Sequence, residues 1–464
     1  MTAPQDTVSY PLLPDSGADA FERELLARWD AEQLFEQAQA ARAGATQAEV
    51  DASLSQGLSV TVRLGEVETV EYQRDRALGI TVYFGTRKGS ASTADLSTTS
   101  INDMVTKACA IARHTAADEC AGLADPALLA TEFPDLGLDF PWALNPEEAV
   151  ELARRCEAAG LAVDPRLGNS EGASVGTQRG VRVYGNSHGF LAGDVASSHS
   201  VSCVLLAQAG EDMQRDYWYT SARDPQDLLD VTTVGRIAGE RAVARLGARR
   251  PATGKARVLL APEVARGFIG HFIGAIRGGS QYRKASFLLG AAGQAVFPNW
   301  VQMHERPHLH KGLASTNWDG EGVRTRDRHL VRDGVLDGYL LGSYSARKLG
   351  LASTGNAGGV HNLLVEPSPG AADARAMLRQ MQRGLWVTEL MGQGVNGVTG
   401  DYSRGATGFW IENGEVAYPV HELTIAGNLR DMYRNMIAIG TDVDVRGGIR
   451  VGSILLDELT IAGE

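Results

Sequence analysis

The sequence predicts an α+β protein, in which mixed N-terminal and central α/β domains precede a β-rich, glycine-rich C-terminal domain. Three observations predict this class. Apolar and polar residues alternate over Ser59–Leu64, as in a half-buried strand. Asn145 and Pro146 form a strong helix start, with acidic residues in the first turn. Two hairpin-turn pairs, beginning at Asp333 and Asn413, lie between strand-like runs in the last third of the chain.

The N-terminal block is predicted to hold two helices around a run of strands. Ala18–Ala43 has apolar residues near the helical period, which predicts a first helix after a polar tail. Ser100 is predicted to cap the second helix, which reaches Thr115, with Asp103 completing a weak capping box. The predicted strands between them are Ser59–Leu64, Val67–Gln73 and Leu78–Phe84.

A proline-rich connector separates this block from the central one. The helix that starts at Asn145 is predicted to end at Gly160, and strands are predicted within Gly172–Ser221. Asp224 is predicted to cap a further helix that reaches Leu246. The prolines that mark the connector are Pro126, Pro134 and Pro141.

The C-terminal block opens with a predicted buried strand, Ala256–Leu260. A helix then starts at Pro262 and is predicted to end at Gly278 and Gly279. The predicted organisation is a polar tail at 1–17, an N-terminal domain at 18–120, a connector at 121–144, a central domain at 145–247 and a C-terminal domain at 254–464 with its first helix at 262–279.

Composition excludes several classes of ligand. The 464 residues carry a formal net charge of -12 and have a pI near 5.4, so neither nucleic acid nor an anionic membrane is an expected direct partner. The segment Met1–Gly17 has no basic and apolar signal regions, which predicts a cytoplasmic protein. No C-x-x-C spacing occurs, so reduced thiols are expected at Cys109, Cys120, Cys156 and Cys203.

Three of the ten histidines lie within His304–His310, whose first five residues spell the H-E-x-x-H pattern of zinc peptidases. That pattern works on a helix, where residues four apart share a face. Pro307 argues against a helix, because it lacks an N–H and its ring clashes with the preceding turn. A polar loop is therefore favoured over a metal site formed by His304, Glu305, His308 and His310.

The helix from Pro262 carries interior glycines at 267, 270 and 274, each costing up to about 1 kcal/mol relative to alanine. Such glycines are typical of a helix on which something packs close to the backbone. His271 is the ionisable residue at its centre. Two interpretations stay open: a core histidine whose nitrogens are satisfied locally, or a residue that lines a substrate groove.

Two more segments supply candidate cleft-lining residues. Tyr282, Arg283 and Lys284 can bind a carboxylate or a partner subunit, although a solvated basic turn is the commoner explanation. The glycine-rich segment 391–408 lacks the context of a nucleotide-binding loop. We expect this segment to shape a cleft and Asp401 to pair with Arg404. Its candidates are Asn396, Asp401, Tyr402 and Arg404.

Long stretches of the last block match the motifs of a known family. They are Ala261–Ala265, Gly270–His271, Tyr282–Lys284, His308–Leu309, Lys311–Thr316, Glu321–Thr325, Ser343–Gly350 and the segment 392–414. Together they resemble the PmbA (TldE) branch of the TldD/PmbA metallopeptidase family. The resemblance covers the last block closely and the first two blocks in order and length.

The resemblance implies a cytoplasmic bacterial metalloprotease in which two subunits form one heterodimeric peptidase that acts on peptides and unfolded proteins. The TldD-type subunit carries zinc through an H-E-x-x-x-H helix and a downstream cysteine. At the matching positions this chain has Gly270 and Ala275 instead of the histidines, and His271 instead of the glutamate. The last block also contains no cysteine. None of the family's catalytic or metal-binding residues therefore transfers to this chain.

We therefore expect a subunit without a metal or other cofactor of its own, which needs a TldD-type partner that carries the zinc and which can form a homodimer when alone. Gly274 belongs with Gly270, His271 and Ala275 among the expected cleft-lining residues. Two alternatives stay open. The chain can be a self-sufficient metallopeptidase that uses His304–His310, or a non-enzymatic peptide-binding or regulatory homo-oligomer. The family has also been labelled a modulator of DNA gyrase, but the acidic charge does not favour direct DNA contact.

Overall fold

A computed structural model describes residues 44–463. The predicted tail at 1–17 and the predicted helix Ala18–Ala43 lie outside the described residues. The helices are α1 Thr98–His114, α2 Pro146–Leu161, α3 Val231–Ala244, α4 Pro262–Ile276, α5 Gly278–Tyr282, α6 Ser343–Leu349, α7 Ala374–Met381 and α8 Leu429–Arg434.

The strands form three sheets. They are β1 Gln47–Arg63, β2 Glu66–Phe84, β3 Arg87–Thr93, β4 Asn169–Asn186, β5 Leu191–Ala209, β6 Asp212–Ala222, β7 Gly254–Leu260, β8 Met303–Glu305, β9 Arg328–Arg332, β10 Val335–Leu336, β11 Leu363–Val365, β12 Gly384–Met391, β13 Asp401–Glu412, β14 Glu415–Asn428, β15 Met436–Ile439, β16 Ile449–Arg450 and β17 Ile454–Ala462. The fold is α+β, as predicted.

One antiparallel sheet, in the order β3-β2-β1-β4-β5-β6, spans both the N-terminal and the central blocks. Its centre is the pairing of β1 with β4, so the predicted connector at 121–144 links two halves of one sheet. The prediction of two strands at Val67–Gln73 and Leu78–Phe84 is wrong, because both belong to β2. The intervening charges at Arg74–Arg76 lie on an exposed strand and make no turn.

Helices cover one face of this sheet. Alternate β1 residues, among them Ala52 and Val60, point to that face and are almost fully buried. Apolar residues of α1 pack at one end of the face. Those of α2 and α3 pack at the other end, around Cys156 and Cys203. The burial of alternate residues follows from the strand period of two.

The helix caps show how far local sequence reasoning reaches. Asn145 caps α2 and forms a reciprocal capping box with Glu148, as predicted for the start of this helix. The predicted cap Ser100 is wrong, since Ser97 caps α1 and accepts from the Ser100 N–H at 3.3 Å. Asp224 caps only a short 3-10 turn, and Asp230 caps α3 instead. In both cases two polar residues that can cap a helix lie a few positions apart, and the prediction named the wrong one.

The C-terminal domain holds the other two sheets. In the first, neighbouring strands have the spatial order β14-β13-β12-β7-β17. Because β14 also pairs with β17, these five strands form a closed ring, and β15 also pairs with β17. The second sheet has the order β10-β9-β8-β11-β16. Both predicted hairpin turns are confirmed, with positive φ at Asp333 (50°) and Asn413 (53°) and at the glycine that follows each.

Helix α4 directly follows β7 and buries its apolar side in the largest core. The rings of Phe268, Phe272 and Phe297 surround Tyr433, with centroids 4.7 to 6.1 Å from it. The Tyr433 hydroxyl donates a hydrogen bond of 2.9 Å to the Phe268 carbonyl. This aromatic cluster fixes which side of α4 faces inward.

Helices α2 and α3 cross at glycines. A Cβ built on Gly235 would lie 1.8 Å from the Cys156 carbonyl oxygen, and one on Gly160 would lie 2.7 Å from the Gly235 carbonyl oxygen. The two backbones are therefore in direct contact, and no side chain fits between them. Gly160, predicted to end α2, is the residue before its last residue, Leu161, and the contact with α3 requires a glycine there.

We expect Gly235→Ala to destabilise the protein by about 1–3 kcal/mol or more, because the added methyl group forces the two helices apart. The measurement is the urea unfolding midpoint of the full chain. Gly267→Ala is the matched control, since Gly267 is also inside a helix but a Cβ there meets nothing within 4 Å. That control should gain up to about 1 kcal/mol. Equal destabilisation by both substitutions would contradict the crossing.

Candidate functional site

The side of α4 that points away from the core carries Gly267, Gly270 and Gly274, the three glycines at which the sequence predicts close packing against the helix backbone. Spaced three and four residues apart, they share one face of the helix. A Cβ built on any of them meets nothing within 4 Å. The expected close packing against these glycines is therefore absent among residues 44–463, and the helix presents an open, side-chain-poor surface there.

His271 lies at the margin of this surface. It is half-buried, and its ring meets the Tyr402 ring edge-on with centroids 6.0 Å apart. Its Nε2 is buried without a hydrogen-bond partner among the described residues. Burial, and then the positive charge of Arg404, hold the pKa of His271 below its usual 6.5, so the imidazole is neutral at pH 7. An unpartnered Nε2 does not fit the interpretation of a locally satisfied core histidine.

Tyr402 and Arg404 reach His271 from β13. They share a face of that strand because they are two residues apart. Burial raises the pKa of Tyr402 to about 12, so its phenol keeps its proton. The expected pair of Asp401 with Arg404 does not form, since residues three apart on a strand point to opposite faces. Asp401 accepts instead from the Thr399 hydroxyl at 2.6 Å.

Asn396 shapes the glycine-rich connection between β12 and β13. Its side-chain oxygen accepts from the N–H groups of Val398 and Thr399, at 2.9 and 3.2 Å. Its own N–H donates to the Asp401 carbonyl at 2.9 Å. These hydrogen bonds are those of a tight loop beside the sheet, and the expectation that the segment shapes a cleft stays a prediction.

The C-terminal end of α4 is held by residues that sequence reasoning did not single out. The carbonyl of Ala275, one of the predicted cleft-lining residues, accepts hydrogen bonds from Gln281 Nε2 at 2.7 Å and from Ser286 Oγ at 2.8 Å. Ser280 Oγ donates to the Gly274 carbonyl at 2.8 Å. The last carbonyls of a helix have no partner within the helix. The polar residues just beyond α4 were therefore the sequence feature that could have indicated these hydrogen bonds.

Tyr282, Arg283 and Lys284 lie at the end of α5. The Tyr282 ring packs edge-on against Tyr344 of α6, with centroids 5.7 Å apart. Arg283 donates to the Tyr282 hydroxyl at 3.0 Å, and Lys284 adopts a left-handed φ of 56°. Both basic side chains are exposed. This arrangement is a basic turn at the surface that directly follows the α4 segment.

The H-E-x-x-H residues do not form a zincin helix. His304 and Glu305 lie on strand β8, so the predicted polar loop is wrong at these two residues, although the segment is not helical, as expected from Pro307. Glu305 is buried and binds Arg328 Nε at 2.8 Å and Asn356 Nδ2 at 2.7 Å. His304 Nε2 contacts Glu366 at 2.7 Å instead of facing a shared ion. Within the described ranges no three His, Cys, Asp or Glu side chains are grouped so that they could hold a metal.

A cavity of about 860 Å³ lies between the ends of β1 and β2, the connector and α6, and sequence reasoning missed it. Glu49 projects into it and accepts hydrogen bonds from the hydroxyls of Tyr83 at 3.0 Å and Tyr184 at 2.8 Å. Burial and the neighbouring Glu49 raise the pKa of both phenols. The cavity joins residues from five separate stretches of chain, between Glu49 and Lys348, and no local motif indicates it.

No helix of the structure within residues 44–463 is long and apolar enough to cross a membrane.

The chain is similar to known proteins along nearly its whole length. Models of the PmbA/TldA metallopeptidase family match in three parts: domain 1 at 48–112, the central domain at 139–246 and the C-terminal domain at 253–463. Metalloprotease PmbA of Escherichia coli O157:H7 is 52% identical, covering 90% of this chain and 92% of its own. A Metalloprotease PmbA homolog of Haemophilus influenzae is 50% identical, covering 91% of this chain and 94% of its own.

Solved structures share the fold. A protein of Bacteroides thetaiotaomicron, described as a candidate modulator of DNA gyrase, superposes with a TM-score of 0.87 at 26% identity, covering 96% of this chain and 99% of that one. TldE from Thermococcus kodakarensis superposes with a TM-score of 0.82 at 19% identity, covering 93% and 100%. The family models, the half-identical relatives and the shared fold agree along nearly the whole chain. The chain therefore belongs to the PmbA/TldA metallopeptidase family.

Proposed function

We propose that this chain is the non-catalytic, PmbA/TldE-type subunit of a zinc metalloprotease that processes or degrades peptides and unfolded proteins. Its partner is a TldD-type subunit that carries the zinc, and the complex works in the cytoplasm. The observation that carries this proposal is the composition of α4, which has Gly270, His271 and Ala275 where the resemblance implies two histidines and a glutamate.

The residues present do not fit a zinc ion. Zinc sites in enzymes use three protein ligands from His, Glu, Asp or Cys and keep a fourth position for water. On α4 such groups are offered by His271 and by Glu263, which lies in the first turn and is paired with Arg241 at 3.0 Å. The family's downstream cysteine is missing. The four cysteines all precede Gly210, and three of them are buried in the first sheet and its helices. No step of metal catalysis is therefore assigned to this chain.

What the chain offers instead is a surface. The three outward glycines of α4 leave room for a peptide or a partner subunit to approach the helix backbone. Beside this surface lie the neutral imidazole of His271 and the cation of Arg404, with the protonated Tyr402 buried behind them. A peptide on this surface would meet the helix backbone and the Arg404 cation, while hydrolysis requires an activated water from elsewhere.

The two alternatives are less well supported. A self-sufficient metallopeptidase would need Glu305 to act on a water molecule, but its carboxylate is occupied by Arg328, Asn356 and the N–H of His361 at 2.7 to 2.8 Å. A purely regulatory homo-oligomer gives no role to the open surface on α4. Peptidase activity after mixing with a TldD-type subunit distinguishes this second alternative from the proposed function.

We expect the purified chain to contain far less than one zinc per molecule and to leave casein uncleaved. Mixing with a TldD-type subunit should give cleavage that a chelator abolishes. Zinc content by atomic absorption and casein cleavage, each measured for the chain alone and for the mixture, check this. His308→Ala should change neither quantity. Chelator-sensitive cleavage by the lone chain that survives substitution of Gly270 would overturn the proposal.

We expect His271 to titrate below pH 6.5 in the folded protein. Because the unfolded chain binds this proton at higher pH, the free energy of unfolding should fall as pH drops from 6.5 towards the lower folded pKa. NMR titration of histidine-labelled protein, with His271→Gln for assignment, measures the pKa. Arg404→Gln should raise the pKa but leave it below 6.5, because burial is the larger cause. A value above 6.5 would contradict the geometry.

A further inference from the structure

The cavity beside Glu49 lies between the end of the first sheet and the C-terminal domain. Its volume of about 860 Å³ is within the range of sites that hold small organic ligands. One wall is the end of the first sheet, another is the segment 115–124, and a third carries Glu321 and α6. A metal ion would leave most of this volume empty. The cavity therefore has room for an organic ligand.

The sheet register fixes the surroundings of Glu49. On β1 it lies directly opposite Asn186 of β4, so the two side chains project from the same face of the sheet. The hydroxyls of Tyr83 and Tyr184 donate to its two carboxylate oxygens, one to each, at 3.0 and 2.8 Å. A carboxylate has about four acceptor sites, so about two of them remain for a ligand. The Glu49 carboxylate is thus held in place without being saturated.

Glu321 brings a second carboxylate to the same cavity. Its Oε2 accepts from the N–H of Ser343, at the start of α6, at 2.7 Å. Burial is the largest cause that raises the pKa of Tyr83, followed by Glu49 and then by Glu321. Both carboxylates therefore lie close enough to act on one phenol, at the same end of the cavity.

Neither carboxylate forms an ion pair within the described part of the chain. Arg347 lies nearby, but its guanidinium donates to three backbone carbonyls of the segment 120–123. Lys348 pairs with Asp118 at 3.0 Å. Lys88 is exposed, with its Nζ 5.9 Å from the centre of the Tyr83 ring. Two carboxylates without a cation in one cavity attract a positively charged ligand.

Two buried polar groups beside these carboxylates have no hydrogen-bond partner among residues 44–463. Asn186 is 1% exposed, and its Nδ2 lies near the Tyr184 hydroxyl without a hydrogen bond of adequate geometry. Ser343 is 5% exposed, and its Oγ also has no partner. Nearly all buried polar groups of proteins are hydrogen-bonded. A ligand that satisfies both observations carries an acceptor next to its positive charge.

We propose that this cavity binds molecules in which an ammonium group lies next to a carbonyl. Glu49 and Glu321 accept hydrogen bonds from the ammonium group, and Asn186 Nδ2 donates to the carbonyl, with the Ser343 hydroxyl as a second donor. Amino-acid amides and the amino ends of short peptides share this chemistry. The Tyr83 ring and the alanines of the segment 115–124 line the remaining space. The site uses no residue of α4, so it is separate from the surface that the proposed function assigns to the catalytic partner.

Isothermal titration calorimetry of the full chain, without a TldD-type subunit, tests the ligand chemistry. Alanine amide should bind at about pH 6.5, where its ammonium group is charged. N-acetylalanine amide lacks the ammonium group and propylamine lacks the carbonyl, so each should bind about tenfold more weakly or worse. Trialanine amide distinguishes the two sources. If it binds more tightly than alanine amide, the site recognises peptide ends, and the reverse order assigns amino-acid derivatives; both orders support the proposal.

Substitutions that remove one charge test the two carboxylates. Glu49→Gln and Glu321→Gln should each weaken the binding of alanine amide about tenfold or more, because a hydrogen bond between charged groups is lost. If one of the two variants does not fold, the other still decides. Glu119→Gln is the matched control, since Glu119 also lines the cavity but is exposed, and it should change the affinity less than about twofold.

Three outcomes would contradict the site. They are the absence of alanine amide binding to the unaltered chain, equally tight binding of propylamine, and an equal loss of affinity in all three variants. Since every titration uses the chain alone, such a result leaves the proposed function standing. Conversely, a failure of casein cleavage in the mixed subunits does not affect the titrations.

Discussion

A group of buried charges ties the two halves of this protein together. Arg245, at the end of α3, lies 2.8 Å from Asp216 of β6 and 2.6 Å from Glu389 of β12, and only 5% of Arg245 is exposed. Arg241 joins the same Asp216 to Glu263 in the first turn of α4. A buried charge that loses its partner is strongly destabilising. These ion pairs connect the first sheet, the closed ring and α4, and separating any of the three would leave a buried charge without its partner.

Local sequence patterns predicted the elements but not their assembly. The start of α2 was predictable because the capping box lies within four residues of Asn145. The pairing of β1 with β4 was not, since these strands are separated along the chain by two strands, two helices and the connector. Closure of the ring by β14 and β17 depends on just three residue pairs, Thr424–Ala462 to Ala426–Thr460. Such long-range contacts depend on the whole domain and leave no local pattern.

The candidate site was predictable to a similar degree. His271 was recognisable because it is the one ionisable group at the centre of an apolar helix, and Pro307 was enough to exclude a helical zinc motif. Tyr402 could be named but not placed, because its contact with His271 spans more than a hundred residues. The glycines of α4 were found for a reason that the structure does not support. They border open space, and packing among the described residues 44–463 does not require them.

The bonds at the end of α4 bear on whether this helix could be converted into a metal-binding helix. An H-E-x-x-x-H motif places its histidines about 140° apart on a regular helix, so both can reach one ion only if the helix is locally widened. Here α4 is a regular α-helix to Ile276, and the Ala275 carbonyl accepts hydrogen bonds from Gln281 and Ser286. Placing histidines at 270 and 275 would therefore not create a metal site. The backbone path opposes such a site as much as the side chains do, so creating one would require rebuilding the turn after the helix.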